Sequence, residues 1–294
     1  MLADFALPPA FDCAAYRAAN PDLADLSDDE LVVHYRDFGE AEGRIANRLS
    51  SREDFVALVP PDAAVLEIGP YYSPLLRGPN VAYFDVLSRD EMLRRAELEG
   101  FDGGAAPEID FVSATGDLGV VDATFDAVLS SHALEHQPDL IAHFQHVERL
   151  LRPGGRYFAI VPDKRYCYDH FSAESSIAEI VAAFVERRTA HTLASVLGQS
   201  VMTTHNDCAR HWNGDHGTFM EACEPRIREG VEAFEAAAGG YVDVHAWYFT
   251  PESARTIVRV LREARYTELS LERLYPTRRN TFEFWMILRK PSAC

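Results

Sequence analysis

The sequence predicts an α/β fold in which helices flank a mostly parallel, doubly wound sheet. Three observations carry that prediction. Short apolar runs of strand length alternate with amphipathic stretches of helix length from about residue 60 to 164. The first apolar run, 63–68, passes without a polar break into Gly69 and a tight turn, with Glu67 beside its last position. The second run, 81–84, ends in Asp85. A strand, a glycine turn, a crossover and a second strand ending in an acid is the layout that brings a carboxylate to ribose hydroxyls at the carboxyl edge of a parallel sheet.

Composition bounds the remaining choices. The 294 residues, 47% of them hydrophobic, suffice for one α/β core and a small extra module. The formal net charge of −18 and a pI near 5.0 set up a field that repels phosphate backbones, so nucleic acid is not expected as a partner. The five cysteines, Cys13, Cys167, Cys208, Cys223 and Cys294, are scattered and form no C-x-x-C pair. They suggest neither a disulfide framework nor a zinc knuckle, and point to a reduced, cytoplasmic compartment. The stretch Met1-Leu2-Ala3-Asp4-Phe5 has no basic n-region or apolar h-region, and no run approaches the roughly 18 apolar residues of a membrane span.

Residues 11–48 read as a separate helical module, within a first domain of 1–50. Asp12 can cap a helix carrying Cys13, Tyr16 and Ala19, which ends at Asn20-Pro21 because proline disfavours helix in the residue before it. Ser27-Asp28-Asp29-Glu30 is a capping-box sequence, followed at helical spacing by Leu31, Val32, Tyr35 and Phe38 until Gly39. Tyr16 to Leu23, His34-Tyr35 and Gly39 to Arg44 resemble a short helical motif of bacterial surface-glycan synthesis proteins. A plain helical cap on the main domain is the competing reading.

The second domain, 51–294, opens with a linking helix near 52–58. After the first two strands come a short third strand at 109–112, then Gly116-Asp117-Leu118, and a fourth strand at 125–130 running into Ser131-His132-Ala133-Leu134-Glu135-His136. A helix from about Asp139 carries Leu140, Phe144, Val147, Leu150 and Leu151 on one side, and Pro153-Gly154-Gly155 turns into a fifth strand at 156–161. Strands alternating with helices imply parallel pairing and right-handed crossovers. The rhythm then breaks at an insertion, about 163–240, in the place of a lid or substrate cap. An extended piece at 241–250, a helix at 251–264 with proline in its first turn, and strands at 267–274 and 281–289 complete a seven-stranded, Rossmann-like sheet whose last strand is expected to be antiparallel.

Leu66-Glu67-Ile68-Gly69-Pro70, Asp85, Gly116-Asp117-Leu118, Phe125-Asp126-Ala127-Val128 with Ser131 to His136, and Leu150 to Gly155 resemble, in order and spacing, the motifs of class I S-adenosylmethionine-dependent methyltransferases. A nicotinamide cofactor fits less well, since Gly69-Pro70-Tyr71-Tyr72-Ser73-Pro74 lacks the later glycines that seat a pyrophosphate. The same turn departs from the usual methyltransferase G-x-G. The resemblance implies S-adenosylmethionine as cofactor, with Gly69 and Pro70 facing its methionine part, Glu67 supporting the amine or the nearby turn, and Asp85 on the ribose. It implies Asp117 and the Leu118 backbone at the adenine edge, and Ser131 and His132 beside the methionine and the methyl group.

Methyl transfer to a hydroxyl needs alignment and a base, for which a neutral histidine is suited. Of the 11 histidines, His132 at the fourth strand's exit and His211 and His216 in the insertion are the catalytic candidates. Asp243 and His245 alternate with Val242 and Val244, so both face one side of an extended segment. The histidine and aspartate content is compatible with a divalent metal, but no tight motif such as H-E-x-x-H is present, and no metal ligand is assigned. The function expected is O-methylation of a sugar or other small polar acceptor in glycan biosynthesis. The alternative is a non-catalytic protein of the same fold that binds or assembles glycan enzymes; homo-oligomerisation stays open.

Overall fold

The structure, a computed structural model, describes residues 6–293. Asp12 caps α1 (Cys13–Ala19) by accepting from Ala15 N, and the helix stops at Asn20. Ser27 and Glu30 make a reciprocal capping box on α2 (Asp28–His34), which runs on as a π turn over Tyr35–Gly39. Tyr16, Leu23, Leu31 and Ala46 bury a small core of their own. So small a core is held in place from outside. Arg279 N donates to Gly43 O at 2.9 Å, and Arg278 Nη2 donates to Asn47 Oδ1 at 2.9 Å.

α3 (Arg52–Val56) follows, and Phe55 stacks on Trp285 with ring centroids 5.5 Å apart. The sheet comprises β1 (Val65–Ile68), β2 (Val81–Asp85), β3 (Phe111–Val112), β4 (Phe125–Ser131), β5 (Leu151–Pro162), β6 (Ser270–Tyr275) and β7 (Glu283–Arg289), in the spatial order β3-β2-β1-β4-β5-β7-β6. β1 pairs in parallel with β2 and β4, while β7 runs antiparallel to β5 and β6. The expected mostly parallel, seven-stranded sheet with an antiparallel last strand is what forms. Strand order reverses between β1 and β4, and that is where a crevice opens beyond the carboxyl ends.

Between β2 and β3 lies α4 (Arg89–Glu99), capped by Ser88, and between β4 and β5 lies α5 (Leu140–Leu150), capped by Asp139. α5 buries Leu140, Ile141, Phe144, Val147 and Leu150 against the sheet, each contributing about 1.5–3 kcal/mol of apolar burial for the larger side chains. The insertion supplies α6 (Ile177–Glu186), α7 (Leu193–Met202), α8 (Cys208–Trp212) and α9 (Cys223–Ala237). α6 belongs to the main core, since Ile180 and Ala183 pack in the same cluster as α5. α10 (Pro251–Glu263), with proline in its first turn, closes that face through Ala254, Ile257, Val258 and Leu261. The other face is covered by α3 together with Leu7, Leu49 and Val59.

One expectation is corrected. Helices do not alternate with strands throughout. β1 and β2 are joined by a loop, and β3 and β4 by a single 3-10 turn at Leu118–Val120. In the first crossover, Pro70 and Pro74 remove backbone donors and Tyr71 adopts a left-handed φ of 47°, so no helix propagates. The 241–250 segment, expected as an extended piece, lies outside the seven strands of the sheet. It touches β5's end by one bridge, Asp163 with Phe249. Among the described residues no helix is long and apolar enough to cross a membrane.

Candidate active site

A cavity of about 480 Å³ opens at the carboxyl ends of β1, β2 and β4. Gly69, Pro70, Tyr71, Asp85, Ser131, His132, His136 and Asp243 are among its lining residues. Its size falls within the range of small-molecule and cofactor sites, about 300–1,000 Å³. Left-handed backbone clusters on its wall, with φ of 69° at Gly69, 47° at Tyr71, 72° at Gly116 and 51° at His132. A Cβ added at Gly69 would meet only Ala133 Cβ at 3.6 Å, so the glycine is required by φ and keeps open space above it. The two non-glycine outliers carry strain of the sort found where backbone is held for function.

Glu67 is buried beneath this turn. Its Oε1 accepts from Leu75 N at 2.7 Å and its Oε2 from Leu76 N at 3.0 Å. The carboxylate therefore ties down the helix-free crossover, standing where a helix would otherwise satisfy those donors. Burial raises its pKa to about 7 against the opposing pull of the two N–H groups. Asp85 is also buried. Its Oδ1 accepts from Leu87 N at 3.1 Å and its Oδ2 from Tyr71 N at 3.4 Å. Burial raises its pKa, and each oxygen retains acceptor capacity toward the cavity it lines.

At the β4 exit, His132 Nε2 lies 3.0 Å from Glu283 Oε2. Arg52 also pairs with Glu283, and its Nη2 is 3.3 Å from the same histidine nitrogen. Although burial opposes it, the contacts from His132 and Arg52 hold Glu283 down at about 2. A carboxylate beside Nε2 favours the tautomer with its proton there, leaving a lone pair on Nδ1. Arg52 and Glu283 were not singled out from sequence. Glu283 opens the antiparallel β7 opposite Pro162, so it reaches the carboxyl edge of β5. An acid at the first position of the last strand is a usable signal only once that strand's direction is known.

Asp117, Leu118, His211 and His216 are placed apart from the cavity wall. Asp117 accepts from Gly119 N at 2.7 Å, and its side chain is 55% exposed. Leu118 is buried in the main core, while Gly116 beside them does line the cavity. His211 is buried in α8, with Nδ1 3.0 Å from His216 Nδ1. Its Nε2 donates to His205 O at 3.1 Å, and Tyr166 stacks on Trp212 nearby. Burial first, then neighbouring histidines, lower the His211 pKa to about 4. Neither His211 nor His216 lines the cavity. Asp243 and His245 do converge as their alternation suggests: Asp243 Oδ1 is 3.3 Å from His136 Nδ1, and His136 and His245 meet edge to face at 4.6 Å.

Residues 69–159, from the glycine turn through most of β5, match the family described as a methyltransferase domain. That stretch is similar to methyltransferase domains, and the rest of the chain lies outside the match. Solved structures similar to it include a zinc-dependent alcohol dehydrogenase by name from Rhodobacter sphaeroides, 16% identical with a TM-score of 0.46 over 84% of this chain and 92% of that one. Another is an S-adenosylmethionine-dependent methyltransferase from Clostridium acetobutylicum, 9% identical with a TM-score of 0.41 over 90% of this chain and 98% of that one. A third, from Mesorhizobium loti and also an S-adenosylmethionine-dependent methyltransferase, is 14% identical with a TM-score of 0.36 over 83% of this chain and 100% of that one. No curated protein matches the sequence significantly. The family match begins at Gly69, the residue on which the cavity turns.

Proposed function

We propose that this methyltransferase domain transfers a methyl group from S-adenosylmethionine to a hydroxyl oxygen of a small polar acceptor, a sugar being the best fit. The observation that carries the reading is the buried Asp85 carboxylate at the end of β2, sharing one cavity with the left-handed Gly69 turn. The residues present suit the cofactor. Asp85 keeps free acceptor capacity for a vicinal diol, and the space above Gly69 admits a chain without phosphates. Bound there, the cofactor supplies an already activated methyl group on a sulfonium.

The protein's share is alignment and proton removal. Asp85 would hold the ribose, while Gly69, Pro70 and Ser131 would seat the methionine part. Of His132, His211 and His216, His132 lines the cavity, and it would serve as the base. Glu283 would orient its imidazole and stabilise the charge it gains on taking a proton. Asp117 and Leu118 at the adenine edge remain part of the proposal through Gly116, their neighbour on the cavity wall. The sugar preference rests on the N-terminal motif's likeness to glycan-synthesis proteins and on the aromatic and polar insertion. Product analysis of a hydroxylated acceptor panel with labelled cofactor tests it. Label appearing on sugar oxygen supports the reading; label found only on protein, lipid or quinone contradicts it.

A further inference from the structure

Just beyond His132, Glu135 is fully buried, and neither of its carboxylate oxygens has a hydrogen-bond partner. An unpaired buried carboxylate is costly and calls for a cation. The nearest nitrogens are too far away for hydrogen bonds: His132 Nδ1 is 3.7 Å and His245 Nε2 is 3.8 Å from Glu135 Oε1. His136 Nδ1 is likewise buried without a hydrogen bond, facing Asp243 Oδ1 at 3.3 Å. His245, itself 4% exposed, has Nδ1 2.6 Å from Asp169 Oδ2. That contact fixes the proton on Nδ1 and leaves Nε2 as a donor of electrons, the arrangement that orients metal-bound histidines. One ligand atom from each of Glu135, His136 and His245 lies within 4.8 Å of the others.

We propose that Glu135, His136 and His245 bind a divalent transition-metal ion of the zinc class, with Asp169 orienting His245. Two imidazoles and one carboxylate are a donor set for such an ion, whereas magnesium and calcium prefer oxygen alone. Metal–ligand distances of about 2.0–2.2 Å require a small inward movement of the three side chains. The near-perpendicular rings of His136 and His245, at 86°, converge without stacking. The Tyr168 hydroxyl, 2.8 Å from His245 Nε2, is the group the metal displaces. Three protein ligands leave an open position, and His136 puts the site at the cavity wall. An acceptor hydroxyl on that position would be acidified beside the methyl donor; this role rests on the methyl-transfer reading, while the site itself does not.

A second cluster, His170, His211 and His216, has the same residue type but the wrong geometry. His170 and His216 lie face to face, centroids 3.7 Å apart at 10°. Parallel stacked rings cannot both direct in-plane lone pairs at one ion.

The test is metal binding by the full chain after chelator stripping, read by elemental analysis and by competition with a chromophoric chelator for Zn²⁺. One tightly held equivalent is expected. Glu135→Gln and His245→Ala should weaken it about 10²-fold or more, Asp169→Asn roughly 10–100-fold, and the double variant His211→Ala/His216→Ala not at all. Co²⁺ substitution of the wild-type chain should give the intense visible absorption of a four-coordinate ion. Zn²⁺ should also raise the melting temperature of wild type, and the near-isosteric Glu135→Gln should stabilise the metal-free protein. Stoichiometry near zero in wild type, a six-coordinate Co²⁺ spectrum, or binding lost with the His211/His216 pair instead overturns the proposal. S-adenosylhomocysteine binding, measured separately, reports on the methyl-transfer reading alone.

Discussion

Replacing Asp85 with asparagine removes the buried carboxylate placed on the ribose. Each carboxylate oxygen already accepts one backbone N–H, from Leu87 and Tyr71, and has capacity for one more. Two hydroxyl donors would therefore find two charged acceptors in wild type, and one neutral acceptor facing an amide NH₂ in the variant. A hydrogen bond to a charged group contributes about 1.5–3 kcal/mol, so losing both costs about 3–6 kcal/mol. That corresponds to a dissociation constant weaker by about 10²–10⁴-fold. Titration calorimetry with S-adenosylhomocysteine measures it directly. Because Asp85 also anchors the Gly69 turn, thermal melts of the same samples separate unfolding from lost binding. An affinity within about threefold of wild type in a folded variant would refute the ribose role for Asp85.

Three further perturbations test other parts of the account. Glu67, with its pKa raised to about 7 by burial, binds its proton more tightly folded than unfolded, where about 4.5 applies. Its contribution is thus fully present below about pH 4.5 and is lost as pH rises through 7, a change of about 3 kcal/mol. Relative to Glu67→Gln, wild type should lose stability in urea titrations between about pH 5 and pH 8; parallel profiles would argue against it. His132→Ala should cut turnover by ~10²-fold or more while leaving S-adenosylhomocysteine affinity within a few-fold; unchanged turnover moves the proton acceptor elsewhere. Gly43→Ala would put a Cβ 2.4 Å from Arg279 N and 2.6 Å from the Trp212 ring, at a φ of +66°. It should lower stability by about 1–3 kcal/mol, seen as a lower melting temperature; an unchanged melt would mean the N-terminal segment is not held by that contact.

What could be read from the sequence was local. The Asp12 and Ser27 caps, the apolar side of α5 and the Pro251 start of α10 all follow from spacing within one element. The ends of β1 and β2, and hence Gly69 and Asp85, follow from the same reasoning. The relation of Glu67 to Leu75 and Leu76 was hidden because it depends on a crossover without a helix, against the usual pattern. His132 with Glu283 spans 151 positions and requires the sheet order and the direction of β7. Glu135 belongs to the Ser131–His136 stretch, yet its burial without a hydrogen-bond partner is a property of packing. The His211 and His216 pair shows the converse: a histidine-rich stretch drew attention by composition, and the chain folds it into a stacked cluster away from the cavity wall.

The most direct measurement is calorimetric titration of the purified, full-length wild-type chain with S-adenosylhomocysteine, with NAD⁺ as the comparison ligand. The account predicts saturable binding of one equivalent of S-adenosylhomocysteine, weakened by Asp85→Asn, and no comparable heat with NAD⁺. No binding of S-adenosylhomocysteine at millimolar concentration, or preferential binding of the dinucleotide, would contradict it.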